Sequence, residues 1–146
     1  MNLGQIEKRL IEFEGLRLMP YRCTSNKLTI GVGRNIEDRG ISVETAMQML
    51  REDLELVIDE LKRAIPGFEK MPESVQEALV DLAFNMGTPT LLTFKRALRA
   101  LQAQEWDNAA DEILSSRYAN QVGRRAEIIA DMIRFGGYFD DMAAGS

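Results

Sequence analysis

Phe13-Glu14-Gly15-Leu16-Arg17-Leu18 is the point at which one hydrophobic period gives way to another. Before it, Leu3, Ile6, Leu10, Ile11 and Phe13 recur at helical spacing with charges between them, which predicts a helix over residues 3–14. Gly15 reads as the left-handed residue that closes it. Beyond it, residues 18–36 break into short runs rich in Thr, Tyr, Ile and Val, punctuated by Thr24-Ser25-Asn26 and by Gly31 and Gly33. That pattern predicts a small hairpin-based sheet with a corner at Ser25-Asn26-Lys27. The junction also gives Glu14 a particular environment. A helix C-terminus carries partial negative charge and disfavours an ionised acid, so a carboxyl there tends to keep the proton that a general acid needs. The competing reading is a surface glutamate that happens to fall in a last turn.

The rest of the chain is helical by pattern. Ser42 offers an N-cap, and Val43, Ala46, Met47, Leu50, Leu54, Val57, Ile58, Leu61 and Ile65 continue one long helix to Pro66-Gly67. Pro72 and Glu73 open a strongly apolar segment, Val75 to Phe84, which Gly87 stops. Thr93 is expected to cap a helix over 94–102, and 107–114 forms another amphipathic piece. A last helix over 124–135 should end at Gly136-Gly137, with 142–146 frayed. The fold class expected is α+β, mostly α.

Composition restricts the chemistry. The chain has 146 residues, 45% hydrophobic, enough for a real core, and no histidine, the commonest acid/base and metal ligand. Ser-His-Asp, Cys-His and HExxH mechanisms are excluded. The single cysteine, Cys23, excludes both an internal disulfide and a thiolate zinc cage. Net charge is −5, which argues against a protein that holds nucleic acid by neutralising phosphates. The charge is uneven, however: residues 1–40 carry seven Lys/Arg against five Asp/Glu, and residues 41–65 three against six. No window approaches the length of a membrane span, and Met1-Asn2-Leu3-Gly4-Gln5 leads into charges rather than an apolar signal core. The expectation is a soluble protein made in a cytoplasm.

Glu14-Gly15-Leu16-Arg17-Leu18, then Tyr21, then Leu28-Thr29-Ile30-Gly31-Val32-Gly33 resembles the active-site signature of the phage-type lysozymes, the muramidase endolysins of T-even phages. The likeness continues through Phe84-Asn85-Met86-Gly87, Leu101-Gln102, Trp106-Asp107, Ala109-Ala110, Ser116-Arg117 and Asn120-Gln121, and covers nearly the whole chain. It implies one lysozyme domain over 1–146. Within it a small sheet-containing lobe (about 13–65) and a helical lobe (66–146) are joined by the long helix, and helix 3–14 packs on the second lobe. A peptidoglycan cleft is expected between the lobes.

By the same resemblance Glu14 is the general acid and Thr29 helps position the attacking water. Cys23 stands where the family usually has aspartate. Glycoside hydrolysis ordinarily uses two carboxylates, so the thiol either substitutes as a thiolate base or nucleophile, with neighbouring Arg22 assisting its ionisation, or takes no part. Thr29 also suits a strand on β propensity alone. Arg125 corresponds to the arginine that pairs with the catalytic acid, where a cation would oppose the helix-end effect. Arg34 takes the place of a structural histidine. The substrate-binding positions fall on Asn35, Phe84, Ala97 and Glu112, of which only Phe84 keeps the family's residue type; core packing is an equal alternative for Phe84.

The expected function is an endolysin that hydrolyses the β-1,4 bond between N-acetylmuramic acid and N-acetylglucosamine, with no metal or cofactor. Its expected partner is peptidoglycan, with no nucleic acid and no stable membrane association, and the protein is expected to be a monomer. It would be made in the host bacterial cytoplasm and act in the periplasm and cell wall after release through a separate pore-forming protein. Two rivals remain: a lytic transglycosylase using Glu14 alone, and a catalytically silent wall-binding protein.

Overall fold

The computed structural model describes residues 1–137, so the expected fraying at 142–146 lies outside the described residues. These residues form two compact units, Met1–Met49 and the chain from Leu50 onward, with the boundary inside a long helix.

In the first unit, α1 (Leu3–Glu14) starts where the Asn2 side chain accepts the Gln5 N–H at 3.0 Å, satisfying one of the orphan donors of the first turn. It stops at Gly15, whose N–H still reaches Ile11 O at 2.8 Å. Gly15 has the expected positive φ, 79°, but its ψ of 158° is extended rather than left-handed helical, so the chain leaves the helix directly into β1 (Arg17–Arg22). β1, β2 (Leu28–Gly31) and β3 (Arg34–Asn35) form an antiparallel sheet in that order. Its register is irregular between Arg17 and Tyr21, the interval containing Pro20, which has no N–H to give the ladder. The β1–β2 corner lies one residue earlier than predicted. Thr24, Ser25 and Asn26 form the loop, Asn26 takes φ 60°, and Cys23 N–H closes on Lys27 O at 3.0 Å. This is a three-residue hairpin with a left-handed last residue, a position asparagine tolerates.

A one-turn helix, α2 (Ile36–Arg39), follows β3 and escaped the periodicity reading because it is too short to show a period. Then α3 (Val43–Ala64) begins under the Ser42 cap, whose Oγ accepts the Thr45 N–H at 3.1 Å.

From Leu50 onward, the end of α3 is followed by a 3₁₀ turn (Phe68–Lys70), α4 (Glu73–Met86), α5 (Thr88–Leu91), α6 (Lys95–Gln102), α7 (Trp106–Leu114), α8 (Arg117–Val122), α9 (Arg124–Asp131) and a π-helical turn (Met132–Gly136). All buried apolar residues among those described lie at or beyond Leu61. α4 supplies Val75, Ala78, Leu79, Leu82 and Ala83 to a core that also holds Leu101, Ala109, Ile113, Ile129 and Ile133. Each large side chain in this set contributes about 1.5–3 kcal/mol by leaving water. Small Ala109, Ala110 and Ala126, fully buried, leave room for the large residues to interdigitate.

Two local expectations fail here. Thr93 does not cap α6: its hydroxyl donates to Thr90 O at 2.6 Å, finishing α5, and Phe94 precedes α6 with no side-chain cap. Nor do the C-terminal glycines end the last helix at 135. Gly137 is helical (φ −62°, ψ −43°), and Gly136 lies close enough to Ser74 that a Cβ there would collide with it.

Candidate active site

The three expected catalytic positions all lie in the first unit, Glu14 at the end of α1, Cys23 just after β1 and Thr29 in β2. Glu14 ends α1 with its side chain exposed, and its carboxyl lies against the backbone of Gly33 in the β2–β3 turn: an ideal Cβ on Gly33 would be 2.9 Å from Glu14 Oε2. Gly33 has φ 67°, so glycine is required there on two counts, backbone conformation and space for the carboxyl.

Thr29 is central in the sheet, opposite Tyr21 on β1 and Asn35 on β3, and only 3% exposed. Its hydroxyl donates to Lys27 O at 2.8 Å. Alternation along the strand sets Cys23 on the same side as Tyr21, and therefore on the side of Thr29. The thiol is half-buried and its pKa is held below the ordinary value of 9.0. The largest cause is a backbone hydrogen bond from Lys27, then one from Ser25. Burial opposes them, and the Thr29 hydroxyl and Cys23's own N–H add smaller contributions. A side chain at the first position of a turn that accepts a main-chain N–H two residues on is the arrangement aspartate and asparagine adopt in turns.

Arg22 is not the assistant that adjacency suggested. Its Nη1 donates to Asn26 O at 3.2 Å and pairs with Glu37 Oε1 at 3.3 Å, and it is not among the groups that lower the Cys23 pKa. Glu37, which the sequence did not single out, clamps the hairpin from α2. Its Oε1 also accepts the Leu28 N–H at 3.3 Å and its Oε2 is 3.5 Å from Lys27 Nζ, which also meets Asp38 Oδ1 at 3.3 Å. These contacts hold the Glu37 carboxyl below its ordinary value, the Leu28 N–H most of all. A spacing of fifteen residues between Arg22 and Glu37 matches no local periodicity, so only the fold reveals the pair.

The remaining expected positions divide. Asn35 spends its side chain capping α2, accepting the Asp38 N–H and donating to Asp38 Oδ2, both at 3.0 Å. Arg34 Nη1 reaches Gly40 O at 3.4 Å, a structural contact. Phe84 is 45% exposed on α4, which removes core packing as its role. Ala97, buried on α6, and Glu112, half-buried on α7, both line a cavity of about 720 Å³ in the second unit. Arg125 has a partner on α4: its Nε donates to Asp81 Oδ1 at 2.8 Å and its Nη2 lies 2.7 Å from the same atom.

Residues 11–130 match the Phage lysozyme family. The chain belongs to that family. It is therefore a lysozyme, a glycoside hydrolase whose substrate is peptidoglycan. It is 32% identical over 131 residues to the endolysin of Acyrthosiphon pisum secondary endosymbiont phage 1, covering 84% of this chain and 86% of that one. Against the endolysin of Salmonella phage P22 it is 33% identical over 116 residues, 73% of this chain and 76% of the other. A SAR-endolysin of Haemophilus phage HP1 (strain HP1c1) is 30% identical over 112 residues, 66% and 59% of the two chains. The phage lysozyme match starts three residues before Glu14 and includes the whole sheet and its hairpin.

Proposed function

We propose that this phage lysozyme hydrolyses the β-1,4 bond between N-acetylmuramic acid and N-acetylglucosamine, with Glu14 as general acid, Cys23 in the usual aspartate position and Thr29 beside it. The observation that carries the reading is that the first unit sets the carboxyl of Glu14, at the end of α1, beside Gly33 of the β2–β3 turn, and the Cys23 thiol, at the β1–β2 hairpin, within hydrogen-bonding reach of Thr29. Glu14 gives its proton to the glycosidic oxygen as the bond to the muramic acid anomeric carbon breaks. The Cys23 thiolate, stabilised by backbone N–H groups, takes a proton from the incoming water, and the Thr29 oxygen holds that water. The products are a reducing muramic acid end and a free 4-hydroxyl on the glucosamine. No helix among the described residues is long and apolar enough to cross a membrane. Release from the host cytoplasm through a separate pore-forming protein is the route we infer.

The test has two parts. Purified protein clears a peptidoglycan suspension, and Glu14→Gln, folded by circular dichroism, loses about 10²–10⁴-fold of that rate. Mass spectrometry of the digest shows muramic acid fragments one water heavier than their anhydro counterparts. A digest dominated by 1,6-anhydro ends would make the enzyme a transglycosylase that still uses Glu14. A folded native protein with no turnover at all would leave the wall-binding reading.

A further inference from the structure

One peptide group carries hydrogen bonds from both residues that the reaction assigns to the water. The carbonyl oxygen of Lys27 accepts the Cys23 N–H at 3.0 Å and the Thr29 hydroxyl at 2.8 Å. The N–H of the same peptide group belongs to Leu28 and donates to Glu37 Oε1 at 3.3 Å. A trans peptide group is planar with its C=O and N–H pointing in opposite directions, so fixing one fixes the other. Glu37 therefore holds one side of a rigid unit, and Cys23 and Thr29 hang from the other. With its proton committed to Lys27, the Thr29 oxygen is left as an acceptor, which holding a water requires.

Glu37 is itself braced. Asn35 caps α2 by accepting the Asp38 N–H and donating to Asp38 Oδ2, both at 3.0 Å. The Glu37 carboxylate also meets Arg22 Nη1 at 3.3 Å and Lys27 Nζ at 3.5 Å, and Asp38 Oδ1 meets Lys27 Nζ at 3.3 Å, so α2 grips the chain on both sides of the 23–26 loop. Exposed ion pairs of this kind add little stability one at a time. Three of them converging on the edges of one loop favour orientation over stability as their use.

Resting on the muramidase reading for its consequence in turnover, we propose that Glu37 is a positioning residue: it orients the Lys27–Leu28 peptide group, and through it the Cys23 sulfur and the Thr29 hydroxyl that receive the water. Charge and geometry make opposite predictions for its removal. Loss of a nearby carboxylate by charge alone makes a thiolate easier to form, whereas release of the loop takes main-chain donors away from the sulfur and makes it harder. The charged side chains at this hairpin are Arg22, Lys27, Glu37 and Asp38. None is among the groups that act on the thiol, where the backbone of Lys27 and then of Ser25 come first.

Because the chain has one cysteine, alkylation by iodoacetamide reads Cys23 alone and needs no turnover. Its rate is followed against pH in the native protein, in Glu37→Ala and in Glu37→Gln, each folded by circular dichroism. In Glu37→Ala the midpoint is expected to move up towards the ordinary 9.0, with alkylation near neutral pH slowed about threefold to tenfold. Glu37→Gln keeps an acceptor for the Leu28 N–H but loses the charge, and is expected to restore most of the native profile. Glu37→Met, of similar length and without a carboxyl, gives the same reading as Glu37→Ala should that variant not fold. A midpoint that stays or falls in Glu37→Ala, or that rises equally in Glu37→Gln, overturns the proposal. Turnover separates the two readings: an acidic limb of the rate that fails to follow the alkylation midpoint would show that Cys23 is not the base, while leaving Glu37 as the residue that positions the thiol.

Discussion

The carboxyl of Glu14 fills the space that a side chain on Gly33 would need, so that a methyl group on residue 33 would stand 2.9 Å from Oε2. By lacking a side chain, Gly33 leaves room for the carboxyl proposed as the general acid.

Gly33→Ala is expected to reduce both stability and turnover. The positive φ alone costs about 1–2 kcal/mol for an L side chain. The displaced carboxyl should lower the rate by about 10²-fold, the order associated with small misplacements of catalytic groups. Thermal unfolding gives the first effect and clearance of peptidoglycan the second. A variant that unfolds earlier yet turns over at the native rate would show that Glu14 tolerates displacement.

How much of this was legible beforehand differs between the elements. α1, the sheet, α3 and α4 follow from hydrophobic period and from Gly, Pro and Ser punctuation, because each is long or sharply bounded. α2, α5 and α8 have four to six residues, too few to display a helical period. Glu14, Cys23 and Thr29 were visible as positions, but their environment was not. Helix-end logic said nothing of Gly33, and adjacency suggested Arg22 for a task that falls to the backbone of Lys27 and Ser25. Thr93 failed as a cap because its hydroxyl had a nearer carbonyl at Thr90.

Cys23 is tested by substitution. Cys23→Ala should lose most of the turnover and Cys23→Asp should retain it, because the same N–H groups that favour the thiolate favour a carboxylate. Near-native turnover by Cys23→Ala would make the thiol a spectator.

The pH profile gives a second test of the same residue. A thiolate base is formed as pH rises through a pKa below 9.0, so the acidic limb of the native rate should fall as the thiol protonates. In Cys23→Asp that limb should move down towards the carboxylate range near pH 4. An acidic limb that does not move would assign it to another group.

Glu37 links the hairpin to pH. Its carboxyl is held below the ordinary value of 4.5, so the ionised form is favoured in the folded state. Its contribution to stability is complete above the unfolded-state pKa and is lost as pH falls through the folded one. Glu37→Gln should therefore lower the melting temperature at neutral pH and make no difference once the pH is well below 4.5. Equal destabilisation at both pH values would make the carboxyl's charge irrelevant.

In the core, Leu79→Ala removes a fully buried side chain from α4 and should cost about 2–5 kcal/mol in chemical denaturation. A cost below that range would mean that the surrounding helices close over the cavity.

The groups that most favour an ionised Cys23 belong to the main chain of the loop, with the Thr29 hydroxyl adding a smaller contribution. Ser25 and Lys27 can be exchanged for most residues without altering the hydrogen bonds they give, whereas proline at either site would delete a donor outright. The donors that face residue 23 are therefore insensitive to which side chains the loop carries, and a carboxylate at that position would meet the same N–H groups as the thiolate.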